Sequence, residues 1–312
     1  MARDDFRALA ARAARLRGDT DNVPVIEKEL VHYEILRSLY EHGRFEDLTF
    51  QGGTCLRLCY ESSRYSEDLD FTCADIDALD TDAVREELER DLLQGFDVAV
   101  RVKKPAVKHF ERIKMKRWLI VVDTAPARAD LPSQKIKIEV ASAPSYTKEL
   151  RRLKMNYSEL PEAYGFVVVP CQTVTEIAAD KIVSFANTDG YVRHRDIWDL
   201  QWIMNSTDFD SGTLPEMVAA KHNDYGCERP LGELLQHGRS LAEATVASDG
   251  FAAQMRRFLP SSEYRRAIGS QCFLETIGND VAALYAIVAR QLGCALDSSS
   301  SEAAHLETNP LS

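Results

Sequence analysis

The sequence predicts an α+β fold, a sheet flanked by helices and followed by a C-terminal helical domain. Three observations carry this expectation. Short stretches of alternating or β-branched composition recur at residues 48–51, 68–71, 96–102, 118–123 and 135–141, separated by amphipathic stretches. Beyond about Ser211 the apolar residues fall at helical spacing only. The composition, 45% hydrophobic and 28% charged over 312 residues, is that of a globular chain with material for a sizeable core.

Taken in order, residues 5–17 read as a helix and 23–42 as a second, with Asp21 or Asn22 as cap, Pro24 in its first turn and Gly43 placed to end it. Ile26, Leu30, Tyr33, Leu36 and Leu39 share one helical face, which suits a helix covering the sheet. A strand at 48–51 runs into Gly52 and Gly53 and a helix at about 54–61. Residues 81–94 form a helix carrying Val84, Leu88 and Leu92 on one side, capped by Asp80 or Thr81. The three strands at 96–102, 118–123 and 135–141 follow, then a short apolar strand or connector at 166–170. Helices are expected from Thr173 through Ala186, over 193–200, and at 214–222, 231–246, 250–258, 262–267 and 277–292. The tail 297–312 is expected to be disordered. No internal repeat is visible.

The chemistry centres on Asp68-Leu69-Asp70-Phe71. In an extended strand, residues two apart share a face, so Leu69 and Phe71 point to a core while Asp68 and Asp70 point outward together. Two like charges this close repel, and a divalent cation between them relieves the repulsion; two solvated aspartates are the plainer reading. Gly52 and Gly53 let backbone approach a phosphate at the start of a helix, though most glycine pairs are turns. In KIKIEV, Ile136, Ile138 and Val140 lie on one face and Lys137 and Glu139 on the other, where Glu139 either joins the aspartates or pairs locally. Lys181 sits among apolar neighbours and either snorkels or reaches an anion. Asp196 and Asp199 are one turn apart, with Arg195 and Asp199 at ion-pair spacing.

A net charge of −11 argues against binding nucleic acid through a broad charged surface. The run 101–117 reverses this locally with eight Lys or Arg, and Lys148, Arg151, Arg152 and Lys154 form a second cluster. Either is a solvated basic face or an edge that meets a polyanion. Seven cysteines, with no CxxC pair and no metal-ligand spacing, read as reduced and mostly buried. No run of 18 apolar residues occurs and residues 1–19 lack a signal-peptide core, so a cytoplasmic protein with no membrane contact is expected.

GGTCLRL with RYSEDLDF, then KIKIEV, TEIAADKIVSFA and RHRDIWDL, in this order, resembles the AbiEii/AbiGii nucleotidyltransferase toxin family over residues 26–204. These are the toxin halves of type IV toxin–antitoxin and abortive-infection systems, within the DNA polymerase β-like nucleotidyltransferase superfamily. The resemblance implies a catalytic domain with a mixed sheet over residues 1–170, including the N-terminal helices, and a helical domain over 171–296. It assigns Gly52, Gly53, Thr54 and Ser66 to phosphate or nucleotide contact, Asp68, Asp70 and Glu139 to Mg2+, Lys181 to the triphosphate and Asp196 to the catalytic set, with Arg195 and Asp199 supporting it. Relatives often carry lysine where this chain has Gln51, so that contact is either absent or supplied by Arg57 or Arg64. The implied activity is transfer of a nucleotide from a nucleoside triphosphate to an RNA acceptor, the tRNA 3′ end, with release of pyrophosphate; a cognate antitoxin encoded nearby is the implied partner. A small-molecule or protein acceptor, or a non-catalytic nucleotide- or antitoxin-binding module, are the alternatives.

Overall fold

A computed structural model describes residues 3–96, 98–110, 113–123 and 133–294. Helices α1 (Arg3–Arg17) and α2 (Val23–Glu41) lead into β1 (Leu48–Gln51), α3 (Gly52–Cys59), β2 (Leu69–Cys73) and α4 (Thr81–Phe96). The strands β3 (Ala99–Phe110), β4 (Ile113–Asp123), β5 (Gln134–Ala141), β6 (Glu149–Arg152) and β7 (Val168–Cys171) complete the sheet. Helices α5 (Val174–Ala186), α6 (His194–Met204), α7 (Leu214–Asp224), α8 (Leu231–Val246), α9 (Asp249–Phe258), α10 (Ser261–Ile268) and α11 (Gln271–Gln291) follow.

The seven strands lie in the order β3-β4-β5-β2-β1-β7-β6. The sheet is mixed: β2 runs antiparallel to β1 and parallel to β5, and β1 is parallel to β7. Two registers matter most. Gln51, directly before the glycine pair, lies opposite Asp70, and Asp70 lies beside Glu139. Leu69, Phe71, Ile136, Ile138 and Val140 are buried, so the apolar face of these central strands packs inward as the alternation requires.

Helix α2 covers this core, but not through one stripe. Beside Ile26, Leu30 and Leu36 it buries Glu27, Glu29, His32 and Glu34, so nearly its whole circumference is enclosed. Each of its acids has a partner: Glu29 takes Arg57, Glu34 takes Arg37 and the Tyr164 hydroxyl, and Glu27 takes Arg7 and Gln134. Gly43, at φ +68, ends the helix in the left-handed region as expected.

Several strands differ from the sequence reading: β2 begins at Leu69, so Asp68 lies just outside it, and the strand expected at 166–170 is β7. Phe96 belongs to α4, where it packs edge-on against Phe6, and β3 begins at Ala99. Strands β3 and β4 extend into the basic run as a long antiparallel ribbon, because ladder hydrogen bonds need no apolar side chains; the register shifts between Lys103 and Ala106, where Pro105 has no N–H to give. Strand β6 is absent from the sequence reading because Glu-Leu-Arg-Arg shows no alternation of character, and as an edge strand it leaves Leu150 73% exposed. The main hydrophobic core runs continuously from Phe6 through the sheet to Ala289, with a small separate cluster at Ile113, Ala141 and Ala143. By length and composition α11 is long and apolar enough to cross a membrane, yet Ile277, Val281, Tyr285 and Val288 are fully buried, as in the core helix of a globular protein. The tail 297–312 lies outside the described residues.

Candidate active site

The turn from β1 into α3 positions the site. Helix α3 starts at Gly52 itself, so both glycines lie in its first turn. Gly52 has φ +77, and a Cβ there would come within 2.6 Å of Asp70 Oδ2. A side chain on Gly53 would run into the Arg64 guanidinium and lie 3.1 Å from Ser66 Oγ. The glycine pair is therefore needed for the close approach of Asp70, Ser66 and Arg64 to the start of α3.

Asp68 sits just before β2. Its backbone carbonyl accepts from the Thr54 hydroxyl, and the carbonyl of Glu67 is held 3.0 Å from His32 Nε2. Burial lowers His32 to about 4, so the ring is neutral and donates. The Asp68 carboxylate takes the Lys137 backbone N–H and its ammonium, both at 3.1 Å. Glu139 takes Arg117 at 2.5 Å, across the β4–β5 register that sets these two residues opposite. Asp70 differs: among the described residues no hydrogen bond or ion pair engages its carboxylate. Burial, then Glu139 and Asp68, push its pKa up to about 7, and Arg193 and Lys181 offset this only in part. Asp70, unpartnered and set against the like charges of Glu139 beside it in the register and Asp68 two residues away, offers hard oxygens of the kind a divalent cation takes.

A second cluster stands behind the first. Lys181, on α5, places Nζ 2.9 Å from Asp196 Oδ1 and 2.7 Å from Asp199 Oδ2. Arg64 grips both oxygens of Asp199, at 2.6 and 2.7 Å, and Arg193 closes on Asp196. Three cations face two carboxylates here. Burial works against both acids, but Arg193 and Lys181 hold Asp196 well below the usual carboxylate range, and Arg64 with Lys181 does the same for Asp199. Asp196 is thus a fixed anion that orients cations and a poor proton acceptor.

Several sequence expectations land elsewhere. Arg57 is buried on Glu29 and the carbonyls of Ser62 and Ser63, with Tyr65 beneath its guanidinium, and so is committed within the fold; Arg64 is the arginine at the glycine turn. Arg195 stacks on Phe258 and leaves Asp199 to Arg64 and Lys181. Lys137 pairs with Asp68, and it is Arg117 that holds Glu139. The hairpin's cations are largely occupied: Lys114 by Asp77, Lys116 by the Ile76 carbonyl and Lys104 by Asp82. Arg112 lies outside the described residues. Cys55, Cys59 and Cys171 bring their sulfurs within 4.8 Å of one another, a grouping that linear spacing hides because α3 and β7 meet only in the fold. Burial pushes the Cys55 thiol up, as for a core residue.

Sequence reasoning gave Arg193 no role. Its signal was its place three residues before Asp196, one turn along α6, where a cation can close on the acid.

The sequence model of the family described as "Nucleotidyl transferase AbiEii toxin, Type IV TA system" matches residues 34–271, most of the chain, from Gly52 through Asp199 included. The chain belongs to this family. Membership makes it a toxin-type nucleotidyltransferase, an enzyme of a family that uses nucleoside triphosphate and a divalent metal, with an antitoxin as the partner implied by the type IV system. Among solved structures, MenT4, a nucleotidyltransferase toxin from Mycobacterium tuberculosis H37Rv, superposes with a TM-score of 0.59 at 22% identity, covering 93% of this chain and 94% of that one. At that identity the likeness shows a shared fold, here the mixed sheet with its helical C-terminal region. JHP933 from Helicobacter pylori matches at 14% identity and a TM-score of 0.43, over 86% of this chain and 93% of that one. No curated protein sequence is significantly similar to the chain.

Proposed function

We propose that this AbiEii-family enzyme transfers a nucleotide from a nucleoside triphosphate to the terminal hydroxyl of an RNA acceptor, the tRNA 3′ end, and thereby blocks translation in the cytoplasm. The observation that supports the reading is Asp70, beside Glu139 across the β2–β5 register and packed against the Gly52–Gly53 turn, with Asp68 two residues away. In the reaction the acceptor hydroxyl oxygen bonds to the α-phosphorus, the bond from that phosphorus to the α,β-bridging oxygen breaks, and pyrophosphate leaves. Asp68, Asp70 and Glu139 would hold Mg2+, which when bound neutralises the triphosphate and the departing pyrophosphate.

The remaining work falls to the chain itself. Gly52, Gly53 and Ser66 line the start of α3, where backbone N–H groups face outward for phosphate oxygens. Lys181 spends two of its three donors on Asp196 and Asp199, and the third, with Arg193, serves the triphosphate. Thr54 acts indirectly, by fixing the Asp68 backbone. The proton of the attacking hydroxyl passes out through the acidic cluster, where Glu139 helps position that hydroxyl. In this reading residues 1–170 supply the metal-binding acids and residues 171–296 supply Lys181 and Asp196, so the proposed division into catalytic and helical domains is a division of labour across one site. Catalysis is alignment and charge neutralisation, with little covalent work for the protein.

The test is incubation with each of the four labelled triphosphates, Mg2+ and total RNA, followed by sizing of the product. Label in a tRNA-sized band, lost in Asp68→Ala and Asp70→Ala, supports the proposal. Label only in protein or in small compounds would replace its acceptor.

A further inference from the structure

A cavity of about 830 Å³ opens between the start of α2 and the α9–α10 corner. Its walls include Glu67, which directly precedes Asp68, and Gln134, which shares β5 with Lys137. The opposite walls carry Lys28, Arg256, Arg257 and Arg265, together with the ring of Tyr264. In a chain of net charge −11 this is a local excess of cations. Lys28 is held 2.6 Å from Glu67, and Arg257 stands 3.9 Å from the same carboxylate. Arg256 and Arg265 are exposed and engage no ion-pair or hydrogen-bond partner among the described residues. The groove is firmly built: Asn22 donates to the Leu259 carbonyl, the Ser261 N–H donates to Asp19, and the Tyr65 N–H donates to the Phe258 carbonyl. These bonds fix α9 and α10 against the loop that carries Asp68.

We propose that this groove receives the single-stranded end of the RNA acceptor, its phosphates on Arg256, Arg257, Arg265 and Lys28 and a base against Tyr264. Such a surface suits an unpaired polyanion: cations spaced along one wall follow a phosphate backbone, and an aromatic ring offers a stacking face to any base. A strand lying here leads toward Glu67 and so delivers its terminal hydroxyl to the carboxylates beyond. The inference rests on the nucleotide-transfer reading for the identity of its ligand, but it is read out by binding and so stands or falls separately.

The probe is a fluorescein-labelled single-stranded oligoribonucleotide with a free 3′ hydroxyl, titrated with the full chain and followed by anisotropy at several salt concentrations. R256A/R265A should weaken binding roughly fivefold per arginine at ~0.1 M salt and flatten the plot of log affinity against log salt by about one for each phosphate no longer neutralised. R256K/R265K should restore most of the affinity, and Y264A should weaken binding with little change in salt slope. D68A should bind the probe as the wild type does while failing to label it. If R256A/R265A, shown to be folded by its thermal transition, binds RNA and labels it like the wild type, the groove assignment is overturned while the transfer reading stands. If the groove variants lose binding but the wild type never labels RNA, the transfer reading fails and the groove survives. Loss of antitoxin affinity with unchanged RNA affinity would make the groove a protein-docking surface and overturn the inference.

Discussion

At the scale of single residues the site is governed by Asp70, a carboxyl raised to about 7 from an ordinary 3.8 by burial and by Glu139 and Asp68. Between those values the folded chain binds more protons than the unfolded one, so without metal this group's contribution to stability falls as pH rises through the window. Asp70→Asn should therefore stabilise the metal-free protein at pH 8, by about 1 kcal/mol once water's access to the site is allowed for, and should have no such effect near pH 4. Paired thermal scans in chelator at the two pH values measure this; equal melting temperatures at pH 8 would refute the electrostatic account. Metal must also displace that proton, so the rise in melting temperature caused by Mg2+ should shrink as pH falls through about 7. Gly52 gives the second residue-scale test. With φ +77 and Asp70 Oδ2 2.6 Å from any added Cβ, Gly52→Ala should cost about 1–2 kcal/mol of stability. By displacing the carboxylate it should also lower the labelling rate about a hundredfold. Urea titration and product quantification separate the two effects.

At the scale of elements the question is how α5, α6 and the 62–67 loop become one frame. Asp199 is the joint: Arg64 from the loop and Lys181 from α5 both close on it, in a site sealed from water. Asp199→Ala would leave the buried Arg64 guanidinium without its carboxylate and Lys181 with Asp196 alone, and should destabilise the fold by about 3 kcal/mol at neutral pH, measurable as a lowered urea midpoint with unchanged slope. The sign agrees with linkage, because a carboxyl held below its ordinary pKa contributes stability above that range and loses it as pH falls through the lowered value. This joint also shows what could be read in advance. The alternation at Asp68 to Phe71, the glycine pair and KIKIEV report backbone periodicity, and periodicity is local, so the strands and their outward acids were legible. Which cation meets which acid is decided by register and by helix packing between segments far apart in the chain. Arg195 and Asp199 had the right spacing to pair, yet the fold turns Arg195 onto Phe258 and brings Arg64 across instead. The edge strand β6 and the three-cysteine cluster escaped notice for the same reason, being products of neighbours that the linear pattern does not specify.

At the scale of the whole molecule, the sheet-bearing part and the helical part share contacts that a hinge between independent domains would not tolerate. Strand β7 ends at Cys171 and α5 begins at Val174, which leaves almost no linker. Glu176, in the first turn of α5, accepts from the backbone N–H groups of Tyr146 and Thr147 and also takes Lys221 of α7, an ammonium with no exposed surface. That lysine also reaches Asp180 at 3.3 Å and the Pro144 carbonyl at 3.1 Å, so a single charge fastens α5, α7 and the 144–147 loop together. The apolar core is likewise continuous across residue 170. The two regions should therefore unfold together: calorimetry should give one transition whose calorimetric and van't Hoff enthalpies agree, even though the chain exceeds the size at which intermediates become common. A fragment of residues 1–170 should fail to show a cooperative transition, because it would expose the core surface now covered by α5 and leave the amides of Tyr146 and Thr147 without Glu176. Two resolved transitions, or a fragment that melts cooperatively, would mean that the division of labour in the active site is also a division in folding.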